Sequence, residues 1–506
     1  MSFAKVWSAQ PNLLKADIIS VEVDITKGLN NFSIVGLPDK GVAEARDRIS
    51  AAIKNTGFKS PKSKNHRLVI SLAPANLRKE GPIFDLGMAL AYLLASKEIL
   101  FDPIGKIFLG ELSLDGKLRK IKGVLPIIIE AKNIGFSEIY LPIENIPEAS
   151  LIDGVKVFGL NNLQEIINHL DEKKERRLLI PAKKTEIFYE ERISQINFHD
   201  IKGQETAKRG LAIAGAGGHN IALYGPPGTG KTMLSKAFVD ILPPLSFDEI
   251  IEVTSIYSTT GLLKESLILY PPIRSPHHSS SYSAIIGGGA TPRPGEITLA
   301  HKGVLFLDEF PEFNQQVIES LRQPLEEKSI NLSRTKGSVE YPADFILIAT
   351  MNPCPCGNLG SNKSCKCSPK DIQRYGRKLS GPIVDRIDIW IEVSNIKPEI
   401  ILASSSEKDT ILIKEKIALV RKIQKERSLN KTTIKISGEV KNILNDSARK
   451  LNLSIRSYQK IIRLARTIAD LENKKEIETP HILEALQYRP KMDSCRLELQ
   501  SEDGIQ

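Results

Sequence analysis

The eight residues Gly225-Pro226-Pro227-Gly228-Thr229-Gly230-Lys231-Thr232 constrain this chain more than any other feature, because a loop of that pattern works only between a buried strand and a helix. The flanks supply both. Asn220 to Tyr224 reads as a short buried strand and Thr232 to Ile241 as the helix that follows. The glycines let successive backbone N–H groups turn inward around phosphate oxygens, and the helix aims its positive end at the same anion. Lys231 then reaches the β- and γ-phosphates of a nucleotide, and the Thr232 hydroxyl faces Mg2+.

Two further strands complete a crevice of this kind. Val304 to Leu307 is an uninterrupted apolar run, as expected of a strand covered on both faces of a parallel sheet, and it ends in Asp308-Glu309. Two carboxylates at the end of a buried strand are costly unless they have a task there. Asp308 suits Mg2+, directly or through water, and Glu309 suits the general base that polarises an attacking water. Phe345 to Thr350 reads as the third strand and leads through Met351 to Asn352, which is placed to hydrogen-bond a γ-phosphate or the lytic water. Alone, an Asn in that place is a turn former; its position beside the other two motifs gives it the site reading.

With these residues in view the chain resembles the AAA+ ATPases, and within them the magnesium-chelatase-like branch that includes the competence protein ComM, also called YifB, and the chelatase I subunit. Five stretches carry the likeness: Tyr224 to Thr232, Gly303 to Glu312, Ser320 to Glu327, Ile348 to Gly357 and Ser380 to Asp388. Similarity to the ComM type runs from the first residues to about Arg489. The resemblance implies ATP and Mg2+ as cofactors. It assigns Gly225, Pro226, Pro227, Gly228, Thr229, Gly230, Lys231 and Thr232 to the P-loop, Asp308 and Glu309 to the Walker B pair, and Asn352 to sensor 1. Arg386 looks like an arginine finger that enters a neighbouring subunit's site, and Arg456 like sensor 2 on a helical lid. A guanidinium supplied from the next subunit confines hydrolysis to an assembled ring, so the resemblance also implies a homo-hexamer.

The expected fold class is α/β: an AAA+ P-loop core with a helical lid, preceded by an α+β domain. Residues 1–170 alternate strand-like and helical segments and form the expected N-terminal domain. The charged run Asp171 to Arg177 opens a stretch, 171–196, that reads as an exposed linker or, for its first residues, a solvated helix end. The ATPase core follows at 197–395, and 396–506 holds the lid and tail, with helices expected over Glu407 to Arg427, Gly438 to Leu451, Ser454 to Leu471 and Thr479 to Tyr488. No apolar run is long enough to span a bilayer and Met1 to Pro11 lacks the layout of a signal peptide, so a cytoplasmic protein without a membrane partner is expected. A net charge of +10 over 506 residues permits nucleic-acid binding without requiring it.

The N-terminal domain resembles the proteolytic domain of Lon, a fold of the ribosomal protein S5 type, through Lys79 to Asp85 and Gly110 to Arg119. Lon cuts peptides with a serine activated by a lysine. Here Ile83 stands where the serine belongs and Leu125 where the lysine belongs, so the domain reads as a binding or assembly module and not a peptidase. The stretch Gly36 to Glu44 belongs to the ComM-type N-domain, which the chelatase I subunit is expected to lack.

Four of the five cysteines crowd into Cys354-Pro355-Cys356 and Cys365-Lys366-Cys367. Thiols clustered in this way point to Zn2+ more than to disulfides, although the C-x-C spacing departs from the usual knuckle and leaves reduced thiols in a rigid loop as the alternative. Ile330 to Tyr341 alternates as a hairpin with Lys336-Gly337 at its tip, and the resemblance makes it the pre-sensor-1 hairpin, with Arg334 and Lys336 as DNA contacts. Arg274 to His278 and Gly287 to Gly295 form a second insertion whose cations could follow a phosphate backbone. His277-His278 is weak as a metal site, since no acidic partner is near in sequence. The function expected is that of an ATP-driven DNA motor for branch migration in homologous recombination or natural transformation, with DNA and recombination proteins as partners. The alternatives are a chelatase-like remodeller of a protein or metal-insertion partner, and an ATP-switched DNA-binding scaffold.

Overall fold

The computed structural model describes residues 2–63, 65–189, 196–289, 293–334, 337–359, 363–396, 407–430, 436–451 and 453–490. The chain divides into two compact units, Met1–Phe188 with Phe247–Ile268, and Tyr189–Ser246 with Leu269–Gln506.

The first unit is built on a seven-stranded mixed sheet in the order Asn31–Val35, His66–Ala73, Lys15–Lys27, Ser2–Asn12, Lys106–Phe108, Glu138–Pro142, Lys156–Leu160. The long strands Ser2–Asn12 and Lys15–Lys27 pair antiparallel, whereas the strands from Lys106 onward run parallel, joined by helices. Helix Asp85–Ala95 is buried at all but one of its residues, which suits a sequence apolar on every side. Helix Lys40–Asn55 starts at Asp39, whose carboxylate accepts the Val42 N–H at 2.7 Å. Ile83 and Leu125 are both buried, and neither offers a nucleophile or a base. Residues 171–188 do not run free of this unit: the N–H groups of Glu172, Ala182 and Thr185 donate to the carbonyls of Leu100, Val157 and Ser150.

The span expected to form one continuous ATPase core is interrupted. Helix Phe247–Thr260, which in sequence lies between the P-loop helix and the Asp308 strand, groups with the first unit. Its buried side includes Ile250, Val253, Ile256 and Tyr257. Three hydroxyls add polar ties: Ser258 accepts the Gly123 N–H at 2.9 Å, Thr259 donates to the Leu13 carbonyl at 3.0 Å, and Thr254 accepts the Ile268 N–H at 3.1 Å. Apolar spacing alone cannot say which unit a helix covers, so the excursion is invisible in sequence.

The second unit carries a five-stranded, all-parallel sheet ordered Ile273–Arg274, Val304–Leu307, Ile346–Met351, Ile221–Tyr224, Ile389–Glu392. In chain order this is 2-3-4-1-5, so strands 2 to 4 lie on one side of the first strand and strand 5 on the other, which opens a crevice at its carboxyl end. Helices Glu407–Leu429, Gly438–Lys450, Ile455–Leu471 and Thr479–Gln487 form the lid, within two residues of the expected ends. Core and lid share one apolar cluster that includes Leu211, Phe238, Ile417, Leu464 and Ile482. Arg209 reinforces it through a two-bond grip on Glu484, and His219 Nε2 lies 2.9 Å from the Thr467 hydroxyl.

Candidate functional site

The P-loop leaves its strand at Gly225, where a side chain would stand 2.2 Å from the Val393 carbonyl oxygen at φ +156, so only glycine fits. The Gly225 N–H donates to the Met351 carbonyl at 3.3 Å, which ties the loop to the end of the neighbouring strand. The helix begins at Lys231 and runs to Ala237 before tightening into a 3-10 turn over Phe238–Ile241. The Lys231 ammonium donates to the carbonyls of Gly225 and Pro226, each at 2.7 Å, and to Asn352 Oδ1 at 3.3 Å. Burial lowers its pKa, and the Asp308 carboxylate opposes that shift.

Asp308 is fixed from two sides. Its Oδ2 accepts the Thr232 hydroxyl at 3.1 Å, and its Oδ1 accepts the hydroxyl of Thr350. Thr350 is 1% exposed and its oxygen also accepts the Glu309 N–H at 3.3 Å, so one buried hydroxyl sets both carboxylate residues. In sequence Thr350 is only the end of a strand. Glu309 sits at φ +53, a left-handed conformation uncommon for a residue with a side chain, and its carboxyl group is exposed. His278 Nδ1 lies 3.4 Å from Glu309 Oε2, and its ring centroid lies 4.1 Å from that of His277, the two planes tilted by 34°. The acidic partner absent around His278 in sequence is thus present in space.

The structure therefore gathers Lys231, Thr232, Asp308, Glu309 and Asn352 into one crevice. Arg386 and Arg456 are held elsewhere. Arg386 is 9% exposed; its guanidinium donates to the carbonyls of Arg322 at 3.1 Å and Pro382 at 2.6 Å, and pairs with Glu326. Arg456, in the first turn of helix Ile455–Leu471, pairs with the other oxygen of the same Glu326. One carboxylate thus links the core arginine to the lid arginine, a connection that no local motif announces.

The expected hairpin is present: Ser329–Arg334 pairs antiparallel with Gly337–Pro342, with Arg334 opposite Gly337. Lys336 lies outside the described residues. Arg274, a cation of the second insertion, is gripped through two bonds by Glu296, one of them 2.7 Å.

Cys354, Cys356, Cys365 and Cys367 converge so that all four sulfurs lie within 4.8 Å of one another. The separations Cys354–Cys356, Cys356–Cys365 and Cys354–Cys365 are 3.5, 3.6 and 3.7 Å. A Zn2+ tetrahedron with Zn–S bonds of about 2.3 Å has edges of about 3.8 Å, so the donor set matches in type and spacing. The N–H groups of Asn358 and Lys366 aimed at the Cys356 sulfur pull its thiol down to about 6. Cys495 lies outside the described residues.

Comparison with known proteins identifies the relatives of this chain. Residues 197–401 match the family model for magnesium chelatase, subunit ChlI, and residues 407–489 match the model for the C-terminal part of that subunit. Residues 21–145 match a further model described as subunit ChlI of Mg-chelatase, so the N-terminal stretch does not separate the ComM type from the chelatase type as expected. The chain is 39% identical over 511 residues to the competence protein ComM of Haemophilus influenzae, covering 97% of this chain and 98% of that protein. It is 39% identical over 502 residues to YifB of Escherichia coli, covering 97% of each. A shorter match, 29% over 188 residues, joins it to Lon protease 2 of Bacillus subtilis, across 33% of this chain and 34% of that one. Among the described residues no helix is long and apolar enough to cross a membrane.

Proposed function

The chain belongs to the ComM/YifB family of magnesium-chelatase-like AAA+ proteins, and from that premise we propose that it is an ATP-driven motor that moves DNA. The observation that carries the reading is the convergence of Lys231, Thr232, Asp308, Glu309 and Asn352 in a chain that matches a competence protein from end to end. Family membership implies ATP and Mg2+. The Thr232 hydroxyl and Asp308 carboxylate suit Mg2+, being hard oxygen donors already 3.1 Å apart. Held by these two oxygens, Mg2+ would supply positive charge against that of the nucleotide phosphates. Lys231 exchanges its carbonyl partners for phosphate oxygens, Glu309 polarises the attacking water, and Asn352 orients it. Zn2+ at the four thiols serves as a structural ion.

Arg386 acts on a neighbouring copy in a homo-hexamer, which requires the Glu326 carboxylate to release it. Because Arg456 shares that carboxylate, movement of the lid and release of the finger are coupled. The hairpin carrying Arg334 and Lys336 grips DNA in the pore, the S5-like first unit serves as an assembly or binding module, and the task is branch migration in homologous recombination or natural transformation. A second reading has one observation in its favour: the models matching 21–145, 197–401 and 407–489 all carry the chelatase name, as a remodeller of a protein or metal-insertion partner would.

The discriminating experiment is ATP turnover without DNA, with single strands, with forks and with four-way junctions, scored beside strand movement. Stimulation by branched DNA with movement is the expected result. DNA binding without stimulation leaves an ATP-switched scaffold, and indifference to every DNA removes the motor reading.

A further inference from the structure

The four-thiol cluster is built into the candidate ATP site. The strand Ile346–Met351 delivers Asn352, and only Pro353 separates that residue from Cys354. Cys354 is fully buried and opens a tight turn closed by the Gly357 N–H donating to its carbonyl at 2.9 Å. Gly357, at φ +77, lies so close to the P-loop that an added Cβ would meet Pro227 Cδ at 2.8 Å and Asn352 Cγ at 3.9 Å. The same turn thus touches the P-loop and the side chain that receives the Lys231 ammonium at 3.3 Å. The second pair of thiols leads directly into helix Pro369–Gly376, started by a reciprocal Ser368–Asp371 capping box. Tyr375 of that helix is nearly buried and hydrogen-bonds the Asn352 backbone.

Asn352 is therefore enclosed by the turn of the first thiol pair and the helix that follows the second. The sulfurs are what join these two segments: the Cys356 N–H reaches Cys367 Sγ at 3.4 Å, and Cys354 Sγ lies 3.7 Å from Cys365 Sγ. Without a cation, four thiolates at such spacing repel, so the junction holds thiols or opens; with Zn2+ it closes.

We propose, resting on the reading of the cluster as a Zn2+ site, that the ion is a positioning device for the ATPase: it clamps the Cys354–Gly357 turn against Pro227 and so holds Asn352 in place for the γ-phosphate and the lytic water. Zinc removal then leaves nucleotide binding by the P-loop largely intact and impairs the step that Asn352 serves. The four cysteines are positioning residues, and Asn352 is the group through which they act.

The test uses the full-length protein, with zinc counted by elemental mass spectrometry. One Zn2+ per chain is expected, lost in Cys365→Ser and retained in Cys365→His, which keeps four ligands. No zinc in protein purified without chelator overturns the metal reading itself. Hydrogen exchange over residues 346–357 and 225–232 gives a readout independent of turnover; both segments should exchange faster on zinc loss, and unchanged exchange overturns the clamp. Turnover should fall at least tenfold in Cys365→Ser, with affinity for a fluorescent ATP analogue within threefold of the parent and Cys365→His near the parent in both. The double variant Asn352→Ala/Cys365→Ser should be no slower than Asn352→Ala alone, since both remove one function. Losses that multiply make zinc a general stabiliser of the loop and overturn the positioning role while leaving the metal site standing. Should Cys365→Ser fail to fold, stripping and restoring zinc in the folded parent and in Asn352→Ala runs the same cycle.

Discussion

Replacing Thr350 by Val deletes one hydroxyl and tests how the carboxylate pair is held. That oxygen donates to Asp308 Oδ1 and accepts the Glu309 N–H at 3.3 Å, inside a residue that is 1% exposed. The Glu309 N–H keeps a second acceptor, Asp308 Oδ1 at 3.2 Å, so it is not orphaned and the loss is chiefly the bond to the charged carboxylate. Such a bond contributes roughly 1.5–3 kcal/mol. Because Asp308 is half-exposed and can rehydrate, the lower half of that range applies, about 1.5–2 kcal/mol, or roughly 10- to 30-fold in an equilibrium at 1.4 kcal/mol per decade. The loss should appear where Asp308 works. In a titration of Mg2+ at fixed ATP, Thr350→Val should need about tenfold more Mg2+ for half-maximal turnover, and Thr350→Ser should restore the parent curve. Excess Mg2+ should recover only part of the rate, since Glu309 is also loosened. A Thr350→Val enzyme with the parent's Mg2+ dependence and turnover within twofold would refute the reasoning, because the carboxylates would then be set by the backbone alone.

Glu309→Gln should keep ATP binding and lose nearly all turnover, since the amide keeps the shape and removes the base; near-normal hydrolysis takes Glu309 out of that role. Arg386→Ala should be inactive alone and regain part of its activity when mixed with Lys231→Ala subunits, each supplying the half-site the other lacks; mixed rings without recovery count against action in trans. Changing Arg334 and Lys336 together to Ala should weaken DNA binding and flatten its salt dependence while basal hydrolysis survives, because fewer counterions are released; an unchanged salt slope moves the contact elsewhere. His219, buried between Thr467 and Asp388 with Lys460 and Arg463 nearby, has its pKa lowered by burial. The unfolded chain therefore takes up the proton first, so stability present above about pH 6.5 declines as pH falls below it. His219→Gln should flatten that dependence in thermal melts, and an equally steep acid limb in the variant excludes His219 as its source.

The parts of the site legible in sequence are those carried by contiguous residues. Gly225 to Thr232, Asp308-Glu309 and Asn352 each follow an apolar run of strand length, and a parallel sheet brings such ends to one edge by its topology. The four cysteines were legible for the same reason, two close pairs within fourteen residues of chain. What escaped depends on contacts between distant segments. Thr350 points at Asp308 only because the strands Val304–Leu307 and Ile346–Met351 are neighbours in register. His278 acquires its acid through the fold, and Glu326 gains two arginines from segments 60 and 130 residues downstream. Glu296, the partner of Arg274, is too far along the chain to be seen as such in sequence. Burial of Arg386 is likewise a tertiary fact, since Glu326 and the Arg322 carbonyl that hold it come from 60 and 64 residues upstream.

Helix Phe247–Thr260 alters what it means to cut this protein in two. The backbone passes from one compact unit to the other at 188/189, 246/247 and 268/269, so three covalent crossings join them where a simple tandem arrangement has one. A gene truncated before residue 196 encodes a first unit stripped of the helix whose Ser258 and Thr259 satisfy Gly123 and Leu13, with apolar surface opened where Ile250, Val253 and Ile256 belong. A protease that nicks the chain between 189 and 196 leaves two fragments still sharing that helix, and they co-migrate until denatured. No single peptide bond therefore separates the chain into its two compact units.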